Sequence, residues 1–217
     1  MSDNDFGLDT GAEASLMAAN GVLLSDFMDS VIKQFLEPDR PFRLTVSLIR
    51  DLQGVAVRGL RRDAGNFRSN EVSIHGRIHK PPQAFMVENL IRELCDSMNL
   101  NWHEQSAFHL AAYVMWCLNW IHPFSDGNGR TSRSLSYIIL CTRIRHALPG
   151  EPTIPAQIEA NRQPYFDALE DADTHSSDTT EPHIVAMETL IKDMLAYQLL
   201  SVVAVADGSD IPNLLSD

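Results

Sequence analysis

At residue 122 the sequence changes sharply from apolar to polar residues, and this change constrains the fold more than any other feature. Residues 107–121 (AFHLAAYVMWCLNWI) form the most apolar run, and a loop rich in glycine and charge, HPFSDGNGRTSR, follows it at once. The run is too short to cross a bilayer and contains His109 and Asn119, so we interpret it as a core helix. A buried helix of this kind would give the polar loop a rigid support.

Apolar residues recur at helical spacing along most of the chain, with Gly, Pro and polar clusters between the segments. Helices are predicted over residues 11–36, 42–60, 83–98, 105–121, 130–147, 161–173 and 182–206. Gly54 and Gly59 weaken the prediction of an unbroken second helix. Residues 71–75 alternate between polar and apolar and predict one short β-hairpin within 64–76. The expected fold class is therefore all-α, a single helical domain with one small hairpin.

The composition excludes some classes of function. The formal net charge of −12 argues against binding nucleic acid through many lysines, although a nucleotide needs only a few local cations. Cys95, Cys117 and Cys141 form no CxxC pair, which is typical of reduced thiols in a cytosolic protein. The N-terminal residues are acidic and lack the pattern of a signal peptide. We expect a cytoplasmic protein with no nucleic-acid or membrane partner, and delivery into another cell stays open.

The loop after residue 121 combines the features of an anion-binding site. Gly127, Asn128 and Gly129 would offer consecutive backbone N–H groups just before a helix, whose N-terminus also favours negative charge. Arg130 and Arg133 are three residues apart at the start of this helix, so both can reach the same phosphate. The segment therefore predicts a phosphate cradle.

Three further residues of the loop add chemistry and support. Asp126 would repel a phosphate unless a hard cation lies between them, so its presence indicates Mg²⁺ bound by one carboxylate and the phosphates. His122 is the one side chain of the loop that can accept a proton near pH 7. Phe124, after Pro123, would anchor the loop in the core. Each residue alone is ordinary, but together they indicate a catalytic site for phosphate chemistry.

The segment HPFSDGNGRTSR resembles the signature of the Fic family, HxFx(D/E)GNGRxxR, at every specified position. These positions are His122, Phe124, Asp126, Gly127, Asn128, Gly129, Arg130 and Arg133. GNFR and EVSI upstream resemble the segment that leads into the family's flap hairpin, and NRQPYFDALEDAD downstream resembles its nucleotide-pocket helix. The resemblance implies a Fic fold, with an N-terminal helical segment at 1–60, a Fic domain at 61–206 and a tail at 207–217.

The resemblance implies a protein adenylyltransferase, which moves AMP from ATP to a Ser, Thr or Tyr hydroxyl of a target protein. His122 would deprotonate this hydroxyl, and Asp126 would hold Mg²⁺ on the phosphates. Arg133 would support the γ-phosphate or brace the loop. The phosphates and the leaving group would be bound by Gly127, Asn128, Gly129, Arg130 and Arg133.

The resemblance also assigns a base pocket and a flap. Phe166, Leu169 and Asp173 match the part of the family that contacts the base, although packing explains Phe166 and Leu169 equally well. The flap would pair with the backbone of the target as an added strand. Its residues would be Ser69, Asn70, Glu71, Val72, Ser73 and Ile74.

Many Fic proteins carry an inhibitory helix with the pattern (S/T)xxxE(G/N), whose Glu displaces the γ-phosphate. In this chain SLMAANG (15–21) has Ala19 at the position of the Glu, and VAVADG (203–208) has Val203 where Ser or Thr belongs. The chain therefore lacks a clean copy of the pattern. It would be unrestrained, or restrained by a separate antitoxin-like protein that supplies the Glu.

Three alternatives stay open at this point. Some relatives transfer UMP or phosphocholine, and Doc-like members phosphorylate their target, but the intact GNGR favours monophosphate transfer. A non-catalytic nucleotide- or peptide-binding module fits His122 less well, since a binder needs no base. A histidine metal site is disfavoured because the histidines considered have no close ligand spacing. They are His75, His79, His103, His109 and His122.

Overall fold

The structure, a computed structural model, describes residues 4–74, 79–176 and 182–208. Within these residues the chain forms eight α-helices, and a 3-10 turn at Ala84–Met86 leads into the third. The helices are α1 (Thr10–Leu36), α2 (Val46–Ala56), α3 (Val87–Leu100), α4 (Ala107–Ile121), α5 (Asn128–Ile144), α6 (Ile154–Ala160), α7 (Gln163–His175) and α8 (Val185–Asp207). The predicted all-α class is confirmed.

The centre of the bundle is the pair α4 and α5. These two share the most extensive contact among the described helices, while α1 and α2 pack on α5, and α3 and α8 pack on α4. Every residue from Leu110 to Leu118 and from Thr131 to Thr142 is buried. The apolar run at 107–121 is therefore a core helix, as its composition predicted, and the loop that follows it is supported on both sides by buried helices.

Local chemistry explains where two of the helices begin or end. Ser106 Oγ accepts the backbone N–H of His109 (3.0 Å) and so satisfies a donor that α4 leaves unpaired in its first turn. α2 ends at Ala56, and Gly59 has a φ of 70°. The predicted helix over 42–60 is consequently shorter than the apolar pattern indicates.

The short helix α6 was not predicted from the sequence. It spans seven residues, which is too few for a helical period to stand out from its surroundings. Ile154 and Ile158 are buried and fix it against the core. Packing therefore decides this helix more than local preference does.

The expected β-hairpin is not seen among the described residues. Residues 69–74 adopt neither helix nor strand, and residues 75–78 lie outside the described part of the chain. An alternating pattern selects the face of a strand but does not supply a partner, and an isolated two-stranded hairpin is marginally stable. The assignment of the chain to the all-α class does not depend on this hairpin.

The N-terminal helices belong to the same hydrophobic core as the rest of the chain. Leu24 and Met28 of α1, with Ile49 and Leu52 of α2, lie in one cluster with the buried residues of α4 and α5. The domain boundaries at residues 60 and 206 remain predictions.

The last helix, α8, is long and apolar enough to span a membrane by length and composition. However, it packs against α4, α6 and α7, and it contributes Met187, Ile191 and Met194 to the core. These contacts give its apolar composition a structural explanation.

Candidate active site

The loop with the predicted phosphate cradle connects the two central helices. α4 ends at Ile121, and His122 follows in a left-handed conformation (φ 50°), with its N–H donating to the Leu118 carbonyl (3.0 Å). Phe124 is fully buried and anchors the loop in the core. Positive φ is uncommon for residues other than glycine, so the surroundings of His122 must hold it in place.

Gly127 begins the second half of the loop, and its position requires glycine. Its φ is 81°, and a Cβ atom added there would lie 2.8 Å from Cγ1 of Val57. Asn128 then closes the loop through two hydrogen bonds with Phe124. Its Nδ2 donates to the Phe124 carbonyl (2.9 Å), and its Oδ1 accepts the Phe124 N–H (2.9 Å). The Asn128 side chain therefore shapes the loop, and a phosphate would meet its backbone.

A cavity of 320 Å³ opens in front of this loop. Its walls bring together the predicted loop residues apart from Phe124, whose ring is buried in the core. The first N–H groups of a helix have no partner within the helix, and α5 begins at this wall, so its amides favour an anion in the cavity. The predicted residues that line the cavity are His122, Asp126, Gly127, Asn128, Gly129, Arg130 and Arg133.

Asp126 is surrounded by positive charge. Its Oδ2 lies 3.3 Å from Nε of Arg61 and 3.2 Å from Nη2 of Arg130, and its Oδ1 accepts the N–H of Gly127 (2.6 Å). Burial alone raises the pKa of Asp126, but Arg130, the Gly127 N–H and Arg61 together outweigh it, and the net pKa is lowered. Asp126 is therefore ionised near pH 7 and available as a charged oxygen ligand.

Arg133 is almost fully buried beside a carboxylate and an aromatic ring. Its Nη2 donates to Oε2 of Glu159 (2.6 Å), and its guanidinium carbon lies 6.0 Å from the centre of the Tyr165 ring. Burial lowers the pKa of Arg133, while Tyr165 and Glu159 act in the opposite direction. Glu159 also pairs with Arg162. Its carboxylate thus bridges two arginines in the wall of the cavity.

Arg68 links the predicted flap to the backbone of the loop at residues 122–127. Its side chain is buried, and its guanidinium donates to the carbonyls of His122 (2.8 Å), Asn70 (3.1 Å) and Pro82. The backbone N–H of Arg68 donates to the Pro123 carbonyl (2.9 Å). One buried cation therefore connects three chain segments and helps to hold His122 in its left-handed conformation.

The sequence profile of the Fic/DOC family matches residues 43–140, a range that includes α2, α3, α4, the loop between α4 and α5, and most of α5. Residues 43–140 of the chain are thus similar to the Fic/DOC family. A curated relative, the protein adenylyltransferase Fic of Drosophila persimilis, is 40% identical over 81 residues, which are 36% of this chain and 15% of the relative. The chain thus spans a small part of the length of this relative.

Solved structures share the Fic fold with this chain. A Fic domain containing signaling protein from Bacteroides thetaiotaomicron has a TM-score of 0.66 and 22% identity, covering 94% of this chain and 77% of that one. BepC from Bartonella tribocorum, with bound AMPPNP, has a TM-score of 0.56 and 15% identity, covering 88% and 90%. At these identities the likeness shows the fold alone, and the predicted Fic fold is confirmed.

A second cavity of the Fic fold, of 210 Å³, contains the residues predicted to contact a base. Phe166, Leu169 and Asp173 line it together with His122. Asp173 Oδ1 accepts the indole N–H of the buried Trp116 (2.9 Å), which fixes the carboxylate. The structure therefore places the predicted base pocket directly beside His122.

The predicted flap residues run along the surface next to this second cavity. Ile74 lines the cavity, and Glu71 Oε1 accepts the N–H of Ala84 (3.1 Å) just before α3. Exposure alternates from Glu71 to Ile74, and the exposed side chains of the segment are accessible to a partner. Val72 and Ile74 are half-buried, while the exposed residues are Ser69, Asn70, Glu71 and Ser73.

Sequence reasoning missed five residues that shape the site: Arg61, Arg68, Glu159, Arg162 and Tyr165. They come from the segment before α3 and from α6 and α7, and the fold alone brings them to the loop. A partial signal existed for Arg68, which belongs to the GNFR segment noted before the flap. Arg162 and Tyr165 likewise belong to the segment NRQPYFDALEDAD, whereas Arg61 and Glu159 have no local pattern that marks them.

Proposed function

We propose that this protein transfers AMP from ATP to a Ser, Thr or Tyr hydroxyl of a target protein and releases pyrophosphate. The observation that carries the proposal is that the two cavities meet at a common wall. His122 belongs to both cavities, as do Gly129, Arg133 and Arg162. A nucleotide with its base beside Leu169 and its terminal phosphates at the loop would have its α-phosphorus next to His122. The name of the curated relative supports the same transfer.

The residues of the cavity have separate tasks in this reaction. His122 accepts the proton of the target hydroxyl while the oxygen attacks the α-phosphorus. The new O–P bond forms as the bond to the pyrophosphate oxygen breaks, and pyrophosphate leaves with the electron pair of that bond. Arg130, Arg133 and the first amides of α5 stabilise the negative charge that collects on the leaving group.

Mg²⁺ is the metal that we propose for the site, with Asp126 as its protein ligand. The donor chemistry fits, because Asp126 is an ionised carboxylate in the wall of the cavity and Mg²⁺ commonly binds one carboxylate together with substrate phosphates. When bound, Mg²⁺ would neutralise phosphate charge and polarise the phosphoryl oxygens.

The position of a radioactive label in ATP tests which group is transferred. We expect label at the α-phosphorus to appear on the protein itself or on a protein of a cell lysate, and label at the γ-phosphorus not to appear. Transfer of the γ-label would overturn the proposal in favour of Doc-like phosphorylation. Parallel reactions with UTP labelled at the α-phosphorus test UMP transfer. A reaction with a metal chelator, which removes the proposed Mg²⁺, is the control. Absence of transfer from all of these nucleotides would contradict the proposal that the protein is an enzyme and would support a non-catalytic binding module.

Glu159 is expected to compete with the nucleotide phosphates for Arg133. Glu159→Gln keeps the size of the side chain and removes its negative charge, so we expect binding of a non-hydrolysable ATP analogue to become about two- to fivefold tighter, as for partly exposed ion pairs. Titration calorimetry measures the effect. Glu88→Gln is the matched control, because Glu88 pairs with the exposed Arg92 on α3. Weaker binding in Glu159→Gln would show that Glu159 positions Arg133 instead.

The restraint of the enzyme is a further part of the proposal. α1 lies beside the arginines of the loop and lines a third cavity, of 450 Å³, with Arg130 and Arg133. Ala19, at the position of the inhibitory Glu, supplies no carboxylate there. We propose that α1 does not restrain the enzyme, and that any restraint comes from a separate antitoxin-like protein.

The proposed partner is a target protein whose backbone pairs with the flap segment 69–74. The exposed side chains of this segment support such an approach. We also propose a cytoplasmic location without nucleic-acid or membrane partners. The net charge of −12 and the three free, buried cysteines agree with it.

A further inference from the structure

Three side chains at the junction of α7 and α8 form a cluster of metal-binding residue types that the proposed transfer does not use. Asp171 and His175 lie in the last turns of α7, and His183 lies just before α8. One potential ligand atom from each residue lies within 4.8 Å of the other two. We propose that this cluster binds a divalent transition-metal ion, with Zn²⁺ as the best fit.

The backbone already holds the three side chains together. Asp171 and His175 are four residues apart and so lie on one face of α7. His175 Nδ1 is 3.3 Å from Asp171 Oδ1, and His183 Nε2 is 3.7 Å from Asp171 Oδ2. A tetrahedral ion with bonds of about 2.1 Å keeps its ligands about 3.4 Å apart. The separation of His183 Nε2 and Asp171 Oδ2 is close to this value. Rotation of the exposed His175 side chain would turn its Nε2 toward the same ion.

The donor atoms favour a borderline metal over a hard one. His175 Nδ1 lies 2.8 Å from the backbone carbonyl of Asp171, and a carbonyl can only accept, so the neutral ring carries its proton on Nδ1. The lone pair of Nε2 is then available for a metal, in the arrangement common to histidine ligands. Two imidazoles and one carboxylate suit Zn²⁺, Co²⁺ or Ni²⁺ more than Mg²⁺ or Ca²⁺. Three protein ligands also leave a fourth position for water.

Exposure and charge both favour an ion at this place. The side chains of His175, His183 and Asp171 are 55%, 49% and 36% exposed, so an ion reaches them from solvent. The site lies at the C-terminal end of α7, where the helix dipole favours a cation. Asp167, Glu170 and Asp173 of the same helix add negative charge.

A bound ion would connect the end of α7 to the residues just before α8. α7 also carries Phe166, Leu169 and Asp173, which line the second cavity. Metal binding would thus stabilise the helix that forms one wall of the proposed base pocket. The inference rests on the geometry of Asp171, His175 and His183 and does not depend on the proposed AMP transfer.

Titration of the chelator-treated full chain with Zn²⁺, and with Co²⁺ as a spectroscopic probe, tests the proposal. We expect the Co²⁺-loaded chain to show the visible absorption of tetrahedral Co²⁺. The affinity for Zn²⁺ should be at least about tenfold weaker in His175→Ala and in His183→Ala than in the unsubstituted chain. Zn²⁺ should raise the melting temperature of the unsubstituted chain and not that of these two variants.

His103→Ala is the matched control, because His103 is exposed and lies outside the cluster, between α3 and α4. Its affinity for Zn²⁺ should equal that of the unsubstituted chain. Melting curves without metal check that each variant is folded. Failure of the unsubstituted chain to bind Zn²⁺ and Co²⁺, or equal binding by the two histidine variants, would overturn the proposal and leave the cluster as side-chain contacts of Asp171 with the two histidines.

Discussion

Replacing His122 with Asn should lower the rate of AMP transfer by about 100- to 10,000-fold, the usual contribution of a positioned general base. The carboxylates of the same cavity are poor substitutes for His122 as the general base. Asp126 is held ionised by Arg61 and Arg130, which lower its pKa, and Glu159 bridges Arg133 and Arg162. Asn is the appropriate substitution because it tolerates the left-handed backbone (φ 50°) that His122 adopts.

The measurement is the initial rate of transfer from ATP labelled at the α-phosphorus, together with the affinity for a non-hydrolysable ATP analogue. We expect the affinity to change little, because the proposed phosphate ligands are the arginines and amides of the loop. His103→Ala is a control of the same residue type outside the cavity and should keep full activity. If His122→Asn retained more than about a tenth of the rate, His122 would not be the base.

Replacing Arg68 with Met should destabilise the fold by about 1–3 kcal/mol, the cost of leaving buried hydrogen-bond acceptors without a donor. Arg68 is 5% exposed, and its guanidinium donates to the carbonyls of His122, Asn70 and Pro82. Met fills a similar volume but has no donors, so these carbonyls lose a charge-assisted partner in partly buried hydrogen bonds. Burial lowers the pKa of Arg68, which agrees with its enclosed position.

Thermal unfolding measures this effect, and the melting temperature should fall by roughly 2–12 °C for a domain of this size. Arg92→Met is the matched control, since Arg92 on α3 is 64% exposed and its ion pair with Glu88 should contribute under about 1 kcal/mol. The surviving folded fraction of Arg68→Met should also transfer AMP more slowly, because His122 loses the hydrogen bond to its carbonyl. A melting temperature equal to that of the Arg92→Met control would contradict this role.

The helices and the loop between α4 and α5 could be predicted because their signals are local. The helical spacing of apolar residues can be recognised from residues that are close in sequence. The segments 11–36, 83–98 and 105–121 show it, and α1, α3 and α4 occupy these segments. The loop is one continuous stretch, so its residues arrive in the cavity together once α4 and α5 flank it. The hairpin had a local pattern as well, but pairing of strands needs a partner that an alternating pattern does not provide.

The amino-acid sequence by itself determined the helical class, the core helix α4 and the set of chemical groups that follows it. The tertiary structure alone decided which charges those groups meet. Arg61 reaches Asp126, Arg68 reaches the backbone of His122, and Glu159 reaches Arg133. The physical reason is that ion pairs and buried hydrogen bonds depend on distance in space, and the packing of α2, α6 and the flap segment on the loop sets those distances.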